Sequence, residues 1–253
     1  MNPITISILS AAVIFAGALL GMRLQLLLPS HHFSKEMQDL VKLSAGTIAT
    51  LTALVLGLLV SSAKSSFDAI NSGIVQGSAH LIFFDRTLAR YGPETQDVRG
   101  QLKRTVAAGI QNAWPDAISG SRGLASVEKG RGFDVVQDML SAILPQTDVQ
   151  RAILSQAQGL STNLAESRWL LIEQTHSQLP PLLLIILIFW MVLLFVSFGM
   201  FAPRNTMARV VLAVGAAAIS AAIFLVLELN EPFDGVIRVS SAPMRNALQH
   251  LGE

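Results

Sequence analysis

Four stretches of this chain are apolar for long enough to cross a lipid bilayer, and that restricts its fold more than anything else in it. A helix rising 1.5 Å per residue needs about twenty apolar residues to span a hydrocarbon layer of about 30 Å. "ITISILSAAVIFAGALLGM", Ile4 to Met22, meets that length and is stopped by Arg23. A second stretch runs from about Leu43 to Val60, a third from Pro181 to Phe201, and a fourth from Met207 to Leu229. The first contains "AGA" at Ala16 to Ala18, which imitates a signal-peptidase site. Its leading "MNPITIS" carries no basic residue, however, and the apolar run continues past the candidate cut, so it reads as a retained anchor.

Composition agrees with a chain that turns much of its surface to lipid. Of its 253 residues 51% are hydrophobic and only 14% charged, against about 25% charged in a soluble domain. A net charge of +1 points to no nucleic-acid partner. With no cysteine there can be no disulfide, thiolate nucleophile or cysteine-based zinc site. The expected location is a bacterial inner membrane, crossed several times.

Between the second and third spans the sequence turns polar but keeps a helical pattern. Phe67, Ile70, Ile74, Leu81, Phe84 and Leu88 recur at helical spacing up to "YGP" at Tyr91 to Pro93. A new helix follows, with Val98, Leu102, Val106 and Ile110 on its apolar face. "ISGSRGLASVEKGRG" reads as a loop, "FDVVQDMLSAIL" as a short helix before Pro145, and Thr147 as the N-cap of a long helix running toward Pro180. The expected architecture is therefore an all-α membrane protein with four transmembrane helices and a helical extramembrane region between the second and third. Residues 1–63 hold spans one and two, 64–179 the extramembrane region, 180–230 spans three and four, and 231–253 a tail with an amphipathic helix. Four crossings place both termini and the central region on one side. Basic residues near the membrane are almost balanced, with Arg23, Lys35, Lys42, Arg204 and Arg209 in the short connections against Lys64, Arg168, Arg238 and Arg245 opposite, so charge bias leans only slightly toward cytoplasmic short connections.

No enzyme reading is supported. The chain lacks a phosphate-binding G-x-x-x-x-G-K-[ST] loop, a G-x-G-x-x-G turn, an H-E-x-x-H pair and a G-x-S-x-G elbow, so neither catalytic residues nor a cofactor are expected. His31 and His32 are adjacent and diverge on a helix, while His80, His176 and His250 are isolated, so no metal site is expected either. Asp85 with Arg86 and Arg90, in "FFDRTLAR", is expected to be a solvated charged face worth a few tenths of a kcal/mol per pair, with a subunit contact as the alternative.

The second span carries the feature most suggestive of function. At about 100° per residue, Thr47, Thr50, Leu54, Gly57, Ser61, Lys64, Ser65 and Asp68 share one broad face that begins in the membrane and ends in a charged extension. Thr52 and Ser62 lie elsewhere, where their hydroxyls can return to the preceding turn. Two readings stand side by side. Gly57 and Ser61, four apart, are the small residues that let membrane helices approach closely. Alternatively the face lines a water-filled path for ions, with Leu54 as an apolar constriction. Four spans hardly enclose a conduit, so a path implies a ring of identical subunits. The alternative function is a non-conducting scaffold or sensor that binds a partner through its extramembrane helices.

At the far end "LELNEPFDGVIRVSSAPMRNALQHL", Leu227 to Leu251, resembles the tail of a family of bacterial membrane proteins called bestrophin-like, as do "AKSSFD" at Ala63 to Asp68 and "DRTLARYGPET" at Asp85 to Thr95. It is also similar to the "E-N-P-F-G … L-P-L" stretch that follows the last membrane helix of bestrophins, through Glu228, Pro232, Phe233, Gly235, Pro243 and Leu248. Bestrophins are homopentameric anion channels, so the resemblance implies a homo-oligomer, pentameric in those relatives, with lipid and ions as its other partners. Animal members bind calcium through an acidic cluster after "P-F-G". Here Gly235 is followed by "VIRVSS", which carries no such cluster. Independently of any family, Glu228 and Glu231 end the apolar run, Pro232 breaks the helix and Gly235 permits a turn. Ser240 or Ser241 is expected to cap a helix with Met244, Leu248 and Leu251 on one face, and Phe233 to anchor the turn against the extramembrane helices.

Overall fold

The computed structural model describes residues 2–27, 35–114, 132–176 and 181–253. Its helices are α1 (Pro3–Leu27), α2 (Lys35–Tyr91), α3 (Gln96–Ala113), α4 (Gly132–Ser141), α5 (Asp148–His176), α6 (Pro181–Phe201), α7 (Thr206–Leu229) and α8 (Ala242–His250), with a short 3₁₀ turn at Pro93–Thr95. Four of them, α1, α2, α6 and α7, are long and apolar enough to cross a membrane. The chain is an all-α, multi-pass membrane protein with a helical region between its second and third spans. Most of the glycine- and serine-rich stretch, the adjacent pair His31 and His32, and the approach to Pro180 lie outside the described residues.

Two compact units are present. The first comprises Met1–Ser65 and Gln178–Asn230, the second Ser66–Ser177 and Glu231–Glu253. In the first, α1 packs mainly against α6 and also against α7. Glycine makes the α1–α6 crossing possible. A Cβ placed on Gly21 would overlap the carbonyl oxygen of Val196, and one on Gly199 the carbonyl oxygen of Ala18. Backbones this close interact along their whole contact, which is how helices associate where water supplies no hydrophobic drive between them. Ile14, Ala18, Ala45, Met191, Leu194, Phe195 and Ala216 form the core around that crossing. The hydroxyls of three buried serines there are returned to backbone: Ser7 donates to the Pro3 carbonyl, Ser10 to that of Ile6, and Ser220 to that of Ser7.

The second unit is built around the far half of α2. Leu81, Phe84, Leu88 and Tyr91 meet Val98 and Leu102 of α3, Phe133, Val136 and Leu140 of α4, and Leu154, Ala157 and Leu164 of α5 in one core. The turn from α2 into α3 is fixed by Thr95, whose buried hydroxyl lies 2.6 Å from the Leu88 carbonyl oxygen and 2.9 Å from that of Gly92. At the start of α5, the Gln150 amide donates to the Thr147 hydroxyl (3.1 Å), and the Gln150 side chain accepts from the amides of Gln146 (2.9 Å) and Thr147 (3.3 Å). That reciprocal arrangement is a capping box, so a Gln three residues on reinforces the Thr147 cap.

Helix α2 runs through both units. Its 57 residues rise about 85 Å at 1.5 Å each, so span and extension are one uninterrupted helix. Its sequence has no proline between Lys35 and Tyr91 to interrupt it. Ala45, Thr52, Leu59 and Ala63 are buried in the first unit, and Ile70, Ile74, Leu81, Phe84, Leu88 and Tyr91 in the second, all at helical spacing.

Candidate functional site

The opposite side of α2 holds the candidate site. Thr47 lies two positions beyond Ala45, Leu54 two beyond Thr52, and Ser61 two beyond Leu59, which is about 200° around the helix each time. All eight residues singled out from the sequence, Thr47, Thr50, Leu54, Gly57, Ser61, Lys64, Ser65 and Asp68, are exposed. A Cβ added to Gly57 would meet nothing within 4 Å, so this glycine serves no close contact inside the subunit. Leu43, Leu51 and Leu58 are also exposed and share the same half of the helix, which is therefore mixed rather than purely polar.

The two threonine hydroxyls on this face are bonded to the helix backbone. Thr47 donates to the Leu43 carbonyl (3.1 Å) and Thr50 to the Gly46 carbonyl (2.9 Å). The return to the preceding turn expected of Thr52 is present too, toward Ile48 at 2.7 Å, and Thr52 is fully buried. Each hydroxyl proton is thereby committed to the helix, and the exposed Thr47 and Thr50 oxygens turn lone pairs outward. Lys64 and Asp68 both have interactions within the fold.

A second constellation lies in the extramembrane unit and differs from what the sequence suggests. Asp85 is not part of a solvated face with Arg86 and Arg90. Its side chain is 2% exposed and forms a two-pronged pair with Arg99, Nε to Oδ1 at 2.9 Å and Nη2 to Oδ2 at 2.8 Å. The Gly252 amide donates to the same Oδ2 (3.1 Å), and Lys103 Nζ donates to the Leu251 carbonyl (2.7 Å). The hydrogen bond to Asp85 raises the pKa of Arg99 further above its ordinary value, against the opposing effect of burial, and the nearby negative charge adds to the rise. Arg99 is fourteen residues from Asp85 and across the Pro93 turn, so no periodicity joins them. A signal was present nonetheless: Asp85 falls in phase with Leu81, Phe84 and Leu88, and an acid on an apolar stripe has to be paired.

The tail residues fall into different environments. Glu228 is buried near the end of α7 and has a partner within the fold, whereas Glu231 is exposed. Pro232 is buried, and its carbonyl accepts from the Val239 amide (2.8 Å), closing a loop over residues 232–239. Gly235 sits in this loop at φ 89°, a conformation that favours glycine. Phe233 is 7% exposed, packed with Ile70, Ile74 and Val239, and its ring stands edge-on to Trp114 at 5.4 Å. Trp114 Nε1 donates to the Val239 carbonyl (2.9 Å), so one tryptophan holds both the ring and the backbone of the loop. Pro243 occupies the first turn of α8, where a missing N–H costs little. Ser241 is the N-cap residue of α8, but its side chain makes no cap bond; the Ala242 amide donates to Ser240 Oγ instead (3.2 Å). Of the histidines, His80 is exposed and His250 Nδ1 lies 2.8 Å from the Asn246 carbonyl oxygen. Among the described residues no group of three His, Cys, Asp or Glu could hold a metal ion.

Comparison with known proteins joins these observations. The sequence matches the Bestrophin-like domain over residues 12–244. The chain belongs to the bacterial bestrophin-like family of membrane proteins. Its fold resembles two crystal structures of a bacterial bestrophin homologue from Klebsiella pneumoniae, each carrying one substitution. With the form in which a tryptophan is replaced by alanine, the TM-score is 0.65 at 11% identity, covering 99% of this chain and 97% of that one. With the form in which a leucine is replaced by threonine, it is 0.62 at 12% identity, covering 95% and 99%. No curated protein matches the sequence. Membership of this family agrees with the four membrane-crossing helices of the fold.

Proposed function

We propose that this bestrophin-like chain is one subunit of a homo-oligomeric ion pore, lined by the exposed face of α2 through Thr47, Thr50, Leu54, Gly57, Ser61, Lys64, Ser65 and Asp68. The observation that carries this reading is the two-sided character of α2. One side is committed to its own subunit from Ala45 to Tyr91, while the other is exposed at every one of these eight positions. Thr47, Thr50, Leu54, Gly57, Ser61, Lys64 and Asp68 alternate steps of three and four residues, an average of about 3.5, which keeps a seam facing a common axis when identical helices gather. Family membership favours such a ring, with five subunits in the bestrophins. Within it Leu54 is the constriction, because an apolar ring blocks ions by drying out rather than by contact. Outward lone pairs on Thr47 and Thr50 suit a partly dehydrated cation better than an anion, while Lys64 and Asp68, four residues apart on the same face, bring opposite charges to the mouth.

Purified protein reconstituted in planar bilayers tests this directly. Leu54→Ser wets the constriction and is expected to raise conductance, while Asp68→Asn is expected to lower the cation-over-anion permeability ratio. Silence of both the native protein and Leu54→Ser at both voltage signs leaves the scaffold reading in its place.

A further inference from the structure

The extramembrane unit contains a cavity of about 450 Å³, within the range of about 300–1,000 Å³ typical of small-molecule sites. Helices α2, α3, α4 and α5 and the tail all contribute to it. Most of its wall is apolar, including Leu81, Val106, Leu164, Phe233, Met244 and the ring of Trp114. Protein cores normally close such a space with side chains.

Two glycines keep it open. Gly77 is in the interior of α2 and Gly109 in that of α3, and both line the cavity. A Cβ added to either would meet nothing within 4 Å. Gly77 is nevertheless buried, so the empty space it faces is the cavity itself. Neither glycine is needed for a close approach of helices, and each weakens its helix relative to alanine. Leaving both side chains out preserves room for something else.

Charge says what that occupant is. The charged residues lining the cavity, among those described, are Arg104 and Arg168, and no carboxylate joins them. Arg168 already has an interaction of its own within the fold, so Arg104, an exposed residue of α3, supplies the counter-charge. Gln101, Thr105 and Asn112 add neutral polar groups. An apolar wall with cationic lining suits an apolar body bearing one negative charge and repels organic cations. We propose that this cavity binds a small organic monocarboxylate with an apolar body, its carboxylate held by Arg104. The site lies wholly within the extramembrane unit and is independent of whether α2 lines a pore.

Calorimetry on the full-length protein in zwitterionic nanodiscs tests the proposal with three probes of similar body: 1-naphthaleneacetate, 2-(1-naphthyl)ethanol and 1-naphthylethylamine. The acid is expected to bind roughly tenfold or more tightly than the alcohol, the ratio of one charge-assisted hydrogen bond, with the amine weakest. Gly109→Phe fills the cavity and should abolish binding of the acid. Arg104→Glu, a change at an exposed position that keeps the fold, should abolish it too and reverse the order of acid and amine. No binding of the acid beyond that of empty nanodiscs overturns the proposal, as does an unchanged order of probes in Arg104→Glu. Should Gly109→Phe fail to fold, the charge-reversed variant alone decides.

Discussion

Asp85→Ala removes a carboxylate that accepts three hydrogen bonds, two from Arg99 and one from the Gly252 amide. Were the pair exposed, its loss would cost at most about 1 kcal/mol. The Asp85 side chain is only 2% exposed and that of Arg99 only 16%, so the relevant figure is that of a broken buried pair, about 3–5 kcal/mol. Arg99 retains some access to water and can be partly rehydrated, which places Asp85→Ala near the lower end, about 3 kcal/mol. Arg99→Ala should cost as much or more, because it leaves a fully buried carboxylate with only the Gly252 amide. At roughly 2–4 °C per kcal/mol for a chain of this size, each variant should melt at least about 6–12 °C lower. The double variant is the decisive measurement. With both charges gone no charge is left unpaired, and the exposed Gly252 amide can turn to water, so its loss should fall short of the sum of the two by about 1–3 kcal/mol. Circular dichroism melts in detergent give the totals, and hydrogen exchange should rise first in α8 and residues 251–253, which the clasp holds down. Additive losses, or a single variant melting like the native protein, would refute the assignment of Asp85 and Arg99 as a buried pair.

Gly21→Ala should lower detergent stability by about 1–3 kcal/mol, because its Cβ overlaps the Val196 carbonyl and must push α1 from α6, whereas Gly46→Ala, which meets nothing within 4 Å, should leave the melting temperature in place. Phe233→Ala should cost about 3–5 kcal/mol and shift the emission of the adjacent Trp114; an unchanged melt and spectrum would show that the ring is not a packing anchor. For topology, cysteines introduced at Ser155 and Gln249 should react with a membrane-impermeant reagent from the same side, and one at Pro203 from the other; any different grouping removes one of the four crossings.

The four spans were legible because a bilayer imposes a requirement on each segment separately: length and apolarity suffice, whatever the segment packs against. The third was readable to the residue, Pro181 to Phe201 in both sequence and structure, since Pro181 and the polar residues beyond Phe201 mark its ends. Local chemistry likewise placed the stop at Tyr91, the Thr147 cap and the turn at Gly235. Two things depended on residues distant in sequence, and periodicity carries no information about those. Whether Asp85 faces water or a core is decided by α3, which brings Arg99 across from the far side of the Pro93 turn, and by the Gly252 amide, 167 residues away. Whether Gly77 and Gly109 make a close contact or open a space is decided by where α3, α5 and the Phe233 loop come to rest against α2. A glycine reads the same in a one-dimensional pattern whether its missing side chain admits a helix, as at Gly21, or leaves a void, as at Gly109. The position of the neighbouring backbone is what separates the two.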